Sequence, residues 1–273
     1  MNVVSFESGT RNRHTSVQAF TLIEMLVVIA IIALLVSLIF PAVTSTLQRA
    51  RITQCQSNQS QIAKAMLQYP IDHNGRLPFA EVRTSGGSRT IDATERDHWA
   101  AVLIRNEYIS APTPEDEDAI PANSVFLCPA GLNDTHSTIT PGDSPWTTNE
   151  NAHSPRAYPF DEDGVTKYIH VGYGINSTNP SHRGWPFGMP RRLTDVYTLS
   201  AVSLASRTVM IYDGKWMHNR NSNRIFARHS SSSRRKSVIT FFDGSVQVLD
   251  TQLFNVEDGN SRDLFPRFRL YSP

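Results

Sequence analysis

Cysteine is scarce in this chain. Among 273 residues there are two, Cys55 and Cys128, and neither belongs to a close pair. Two cysteines cannot make a disulfide-dense miniature scaffold, and their isolated spacing does not read as a zinc site. Charge of one sign is lacking too: 26 Lys and Arg face 25 Asp and Glu, for a formal net charge of +1. That balance implies no global polyanion partner. The sequence contains no H-E-x-x-H, no G-x-S-x-G and no phosphate-binding glycine loop, so the usual signatures of zinc peptidases, serine hydrolases and nucleotide enzymes are missing. No cofactor is implied and no internal repeat is visible.

The chain does have one long apolar run, Met25 to Val43, interrupted by Ser37. About 20 apolar residues at 1.5 Å each cross the hydrocarbon of a bilayer. A cleaved secretory signal would have a shorter apolar core, of about 7–15 residues, and a small-residue cleavage site behind it. A plain signal anchor fits the length but leaves Glu24 unexplained. An ionisable side chain at membrane depth costs roughly 2.5–3.5 kcal/mol on insertion scales, and by default it is functional and partnered. Snorkelling to the interface is the bland alternative for a carboxylate at the end of the run.

The hexapeptide Ala19-Phe20-Thr-Leu-Ile-Glu24 resembles the processing site of type IV prepilins and type II secretion pseudopilins. Their pattern is Gly, then Phe-Thr-Leu-Ile-Glu, then an apolar helix; Ala19 stands where the family has glycine. The resemblance implies cleavage between Ala19 and Phe20 by a prepilin peptidase and N-methylation of Phe20. It also implies pairing of Glu24 with the amine of a neighbouring subunit during assembly on a secretion or pilus platform. Pro41 falls where the family commonly has a proline, and it is expected to kink the helix.

Arg11 and Arg13 precede the span, and Arg49 and Arg51 follow it, so charge alone does not orient it. A long C-terminal part translocates largely regardless of charge. The expectation is a single-pass protein of the cytoplasmic membrane, with residues 1–19 as cytoplasmic leader, 20–43 as transmembrane and assembly helix, and the remainder extracytoplasmic. Val43, Leu47, Ala50, Cys55, Ile62, Met66 and Tyr69 recur at helical steps. The helix should therefore continue over 44–69 into a head at 70–273, with Pro70 closing it.

In the head, short β-branched and aromatic runs predict strands at Ser124–Leu127, Lys167–Tyr173, Thr208–Tyr212, Ser237–Phe242 and Ser245–Leu249. Asp243-Gly244 between the last two predicts a hairpin with a type I′ turn. Residues 110–123 and 129–160 read as loop, and Trp99–Ile104 as a short helix. The fold class is α+β: a long helix packed on an antiparallel-sheet head. Cys55-Gln-Ser-Asn58, Cys128-Pro129, Tyr173-Gly-Ile-Asn176, Asp213, Arg228-His229 and Phe241-Phe-Asp-Gly244 resemble a subfamily of pilin-like proteins abundant in planctomycetes and verrucomicrobia. That resemblance supplies no substrate.

Outside the cytoplasm, Cys55 and Cys128 suit either one disulfide, which the chain-entropy model credits with about 4 kcal/mol, or two buried free thiols. His229 with Asp213 and Asp243 is a candidate set for metal ligation or acid–base chemistry. The simpler reading makes Asp243 and Asp213 turn residues and His229 a packing residue. Arg220, Arg224, Arg228, Arg234, Arg235 and Lys236 form a basic window. It lacks interleaved aromatics other than Phe226, so a solvated loop is favoured over a nucleic-acid surface. The function expected is a structural filament subunit rather than an enzyme; the alternative is a membrane-anchored extracytoplasmic binding module that forms no filament.

Overall fold

The computed structural model describes residues 21–80, 98–132, 155–178, 186–188, 197–214, 229 and 236–250. The leader, the Ala19–Phe20 junction and the arginines of the basic window lie outside the described residues. Two compact units are distinguished, Met1–Leu47 and Gln48–Pro273.

The longest element is a 51-residue helix, α1 (Leu22–Asp72). In the first unit every described side chain is exposed, including Ile29, Ile32, Leu35 and Phe40. A helix that is apolar all round is built for lipid or for other helices. This is the one described helix that is long and apolar enough to cross a membrane. Helical assignment runs through Pro41 without interruption, and Thr44 Oγ1 donates to the Pro41 carbonyl at 2.9 Å.

In the second unit the same helix presents a buried stripe: Cys55, Asn58, Gln59, Ile62, Ala63, Ala65, Met66 and Pro70. The expected stripe starts too early, since Val43 and Leu47 are exposed. Pro70 does not close the helix, which continues to Asp72. Its end is set by Asn74 and Gly75, both at positive φ, with Gly75 N–H donating to the Pro70 carbonyl at 2.7 Å. That is the six-to-one bond of a Schellman cap. A proline in the last turn forfeits one donor and is tolerated; the left-handed pair behind it is what turns the chain away.

The head sheet has four antiparallel strands in the order β3-β6-β7-β8. They are β3 (Tyr173–Ile175), β6 (Val209–Asp213), β7 (Lys236–Phe241) and β8 (Val246–Asp250). A second antiparallel pair joins β1 (Arg156–Glu162) to β2 (Val165–Val171), and a minimal parallel pair joins β4 (Ser177–Thr178) to β5 (Phe187–Gly188). A short helix, α2 (Trp99–Arg105), is capped by His98 Nδ1, which accepts from Ala100 N–H at 3.3 Å. One core joins Ile62 and Met66 of α1 to Trp99, Leu103, Phe126, Ile169, Ile175, Ile211 and Val238.

Two expectations fail in the loops. Ser124–Leu127 is a turn, not a strand. Ser124 Oγ accepts from Phe126 N–H, and Leu127 N–H donates to the Ser124 carbonyl. A hydroxyl that serves the local backbone competes with sheet pairing, so the apolar run reports burial of Phe126 and Leu127 rather than a strand. The segment 129–160, expected to be loop throughout, ends inside β1, whose Tyr158 and Phe160 alternate inward.

Among the described residues, the Asp-Gly turns of the β1–β2 and β7–β8 hairpins differ. Asp163 (φ 52°) and Gly164 (φ 79°) form the two-residue loop between β1 and β2, with Glu162 paired to Val165. Two positive φ values at the loop define type I′. At β7–β8 only Gly244 is left-handed, and Asp243 instead accepts from Ser245 N–H and Oγ. Phe241 N–H bonds the Ser245 carbonyl, so this is a three-residue loop closing on a glycine bulge. A Cβ at Gly164 would meet nothing within 4 Å, so Gly164→Ala carries only the left-handed cost. We expect it to lower stability by about 1–2 kcal/mol, read as a lower thermal midpoint of the detergent-solubilised chain.

Candidate functional site

The first site is the start of α1. Thr21 occupies the N-cap position, one residue before Leu22, and Glu24 is three residues on. Thr21 Oγ1 accepts from Glu24 N–H at 3.3 Å, while the Glu24 carboxylate accepts from Thr21 N–H at 2.8 Å and from its hydroxyl at 2.7 Å. This reciprocal pair is a capping box, which satisfies donors that a helix start otherwise leaves orphaned. The Thr-x-x-Glu spacing of Thr21 and Glu24 is the signature of this cap in the sequence. Glu24 is exposed, so the same carboxylate remains open to a partner from another chain.

The second site is deep in the head. Cys55 of α1, Cys128 of the loop behind Leu127, Asp213 at the end of β6 and His229 ahead of β7 are all buried, and their ligand atoms lie within 4.8 Å of one another. The Cys55 thiol donates to Asp213 Oδ1 at 3.1 Å across 158 residues of sequence. His229 Nε2 is 3.2 Å from Asp213 Oδ2 and 3.5 Å from Cys128 Sγ. Cys55 and Cys128, a candidate disulfide by sequence, are brought together here as thiols with no bond between their sulfurs. Asp243 does not join them: it is exposed in the β7–β8 turn.

A surrounding set of polar groups fixes the carboxylate. Val238 N–H donates to Asp213 Oδ2 at 2.7 Å, and Gln59 Nε2 donates to Asp213 Oδ1 at 3.3 Å and to the Val238 carbonyl at 3.1 Å. Thr240 Oγ1 donates to Gln59 Oε1 at 2.7 Å, which sets the amide's orientation. Tyr173 Oη lies 3.3 Å from Cys55 Sγ, and Asn58 Nδ2 donates to the Leu127 carbonyl at 2.8 Å, next to Cys128. Burial pushes the Cys55 thiol well up, reinforced by Cys128 and Asp213. For His229 burial acts downward, but Asp213 and Cys128 outweigh it and push the imidazole up to about 9.

The sequence reading pairs Cys55 with Cys128 and His229 with Asp213, and both pairs meet here; it does not join the two pairs, and it adds Asp243, which lies elsewhere. It names Asn58 only within the Cys55-Gln-Ser-Asn58 resemblance and gives Gln59 no role. A usable signal existed: three and four residues beyond Cys55, on the stripe that faces the sheet, the sequence places two amides where apolar residues belong.

The family described as "Prokaryotic N-terminal methylation motif" matches residues 15–40. The competence protein ComGC of Bacillus subtilis (strain 168) is 33% identical over 70 residues, covering 25% of this chain and 71% of that protein. No solved structure matches the chain. The processing motif, the exposed apolar helix and the sheet-bearing head thus define a class, the prepilin-type membrane proteins. The chain belongs to the type IV pilin-like family. It is a single-pass membrane protein with an extracytoplasmic C-terminal domain.

Proposed function

We propose that the chain is a structural subunit of a type IV pilus-like filament or a type II secretion pseudopilus, working by assembly and not by catalysis. The observation that carries this reading is the division of α1. From Leu22 to Ala50 every side chain is exposed and most are apolar, whereas from Cys55 onward the helix supplies the core of the head. Lipid satisfies the first part in the precursor. In a filament the corresponding helices of other subunits replace lipid, and close packing between apolar helices drives their association.

In this reading a prepilin peptidase cuts between Ala19 and Phe20, and the Phe20 amine is N-methylated. Glu24 then meets the amine of a neighbouring subunit, neutralising two charges where the low dielectric makes each expensive alone. The relative is named a competence protein, but its match covers a quarter of this chain. Whether the head serves a surface pilus or an export pseudopilus is decided by its partners; adjacent genes for a secretion ATPase and an outer-membrane secretin support the second.

Processing gives the direct test. Mass spectrometry of the membrane-extracted protein should find a chain beginning at N-methylated Phe20. An intact start at Met1, in cells with an active prepilin peptidase, reduces the protein to a signal anchor.

A further inference from the structure

The cluster of Cys55, Cys128, Asp213 and His229 is more than a set of packed polar groups. Two thiols, one carboxylate and one imidazole are brought within 4.8 Å from four separate stretches of chain. All four residues are buried, Cys55 and Asp213 completely so. We propose that these four side chains form a closed, structural Zn2+ site that fastens α1 to the sheet of the head.

The geometry fits the ion. Zinc takes sulfur at about 2.3 Å, imidazole nitrogen at about 2.0–2.1 Å and carboxylate oxygen at about 2.0–2.2 Å, in a tetrahedron. The edges of that tetrahedron are then about 3.6 Å for sulfur to nitrogen, about 3.5 Å for sulfur to oxygen and about 3.3 Å for nitrogen to oxygen. The corresponding separations are 3.5 Å from Cys128 Sγ to His229 Nε2, 3.1 Å from Cys55 Sγ to Asp213 Oδ1 and 3.2 Å from His229 Nε2 to Asp213 Oδ2. The two carboxylate contacts are to different oxygens, and the four donors lie within 4.8 Å of one another, so binding draws them in by up to about 1 Å and turns Asp213 to offer one oxygen to the ion.

The donor set selects the metal. Two thiolates and an imidazole are too soft for calcium or magnesium, which take oxygen ligands. Four protein ligands with no position left for water make the site structural, not catalytic. On binding, the two thiol protons and the imidazolium proton leave to solvent, so the ligands bring three negative charges against the ion's two positive. The residual charge faces donors already in place: Gln59 Nε2, Val238 N–H and the Tyr173 hydroxyl. Outer hydrogen bonds of this kind orient ligands and tune the metal.

The isolated spacing of the two cysteines argues against zinc only when ligands must come as sequence neighbours. Here the fold supplies the adjacency, with Cys128 and His229 in contact across 101 residues. The competing chemistry is a Cys55–Cys128 disulfide, which would consume both sulfur ligands. It and the zinc site exclude each other.

The test uses the full chain extracted from membranes without chelator. Elemental analysis should find about one zinc per chain, and thiol titration under denaturing conditions, without reductant, should find two free thiols. Exchange with Co2+ should give the visible bands of a tetrahedral ion together with thiolate-to-cobalt charge transfer. Cys128→Ser should lose the metal or bind it at least tenfold more weakly; Co2+ exchange into the unaltered chain keeps the test open should that variant misfold. Absence of metal at stoichiometric level, a Cys55–Cys128 disulfide in the isolated protein, or cobalt spectra without thiolate charge transfer would each overturn the proposal. Neither filament formation nor its failure enters these readouts.

Discussion

Trp99→Ala should destabilise the head by about 3–5 kcal/mol, the range for removing a fully buried large aromatic side chain. Domains of this kind are stable by about 5–15 kcal/mol in all, so the loss takes roughly a fifth or more of the total. Trp99 opens α2, is completely buried and meets Phe126 edge-on, with ring centroids 5.4 Å apart at 73°. Its backbone N–H is held by the Ala80 carbonyl at 3.1 Å, so the residue cannot simply swing away. The cavity would open beside Phe126, one turn of chain from Cys128. Trp99→Phe keeps most of the ring volume and removes the indole N–H. Among the described residues the indole Nε1 has no hydrogen-bond partner, so phenylalanine leaves no lost bond behind, and its cost should stay below about 1.5 kcal/mol. Urea denaturation of the detergent-solubilised full chain, followed by near-UV circular dichroism, reads both. An unchanged midpoint for Trp99→Ala would mean that the core is not built around this ring.

Why the sequence was readable in some places and opaque in others follows from how far each signal reaches. The β6, β7 and β8 strands were legible because Thr208–Tyr212, Ser237–Phe242 and Ser245–Leu249 are dense in β-branched and aromatic residues and bounded by glycine turns; the structure shifts their ends by about one residue. Such patterns are local. Ser124–Leu127 misled because an apolar run marks burial, and only the hydroxyl of Ser124 bonding its own neighbours reveals a turn. β1 was lost for a different reason. Pro159 and the polar flanks of Tyr158 and Phe160 hide a two-residue alternation, although Asp163-Gly164 signalled a hairpin there as plainly as Asp243-Gly244 did.

The helix start was legible twice over, as a processing motif and as a capping box. The thiol cluster was legible as two separate pairs, Cys55 with Cys128 and His229 with Asp213, and not as one unit. Cys55, Cys128, Asp213 and His229 each stand out in the sequence, but nothing local says that a helix, a loop, a strand end and a pre-strand turn converge. That information sits in the register of β6 on β7, where Tyr212 pairs with Ile239, and in Gln59, which bonds both strands from the helix. Tertiary convergence of this sort has no period to detect.

Glu24→Ala should leave the chain inserted in the membrane and exclude it from filaments. Insertion should hold or improve, because the variant removes a charge whose burial costs up to roughly 2.5–3.5 kcal/mol at depth. On the proposed pairing, assembly should fail because the Phe20 amine of a neighbour loses its counter-charge, and a buried unpaired charge is strongly destabilising, by about 3–5 kcal/mol when a partner is deleted. The capping box makes this substitution ambiguous alone, since alanine also strips an acceptor from Thr21 N–H. Two further variants resolve it. Glu24→Gln keeps a capping-box acceptor, as glutamine serves that position well, yet carries no charge. Thr21→Ala keeps the charge but loses the cap hydroxyl, a change worth about 1 kcal/mol of helix stability. If charge pairing sets assembly, Glu24→Gln should fail like Glu24→Ala, and Thr21→Ala should assemble at near-normal yield. If capping is what matters, the order reverses. Sheared filaments quantified against membrane-resident protein give the readout, and normal assembly of Glu24→Gln would end the charge-pairing account.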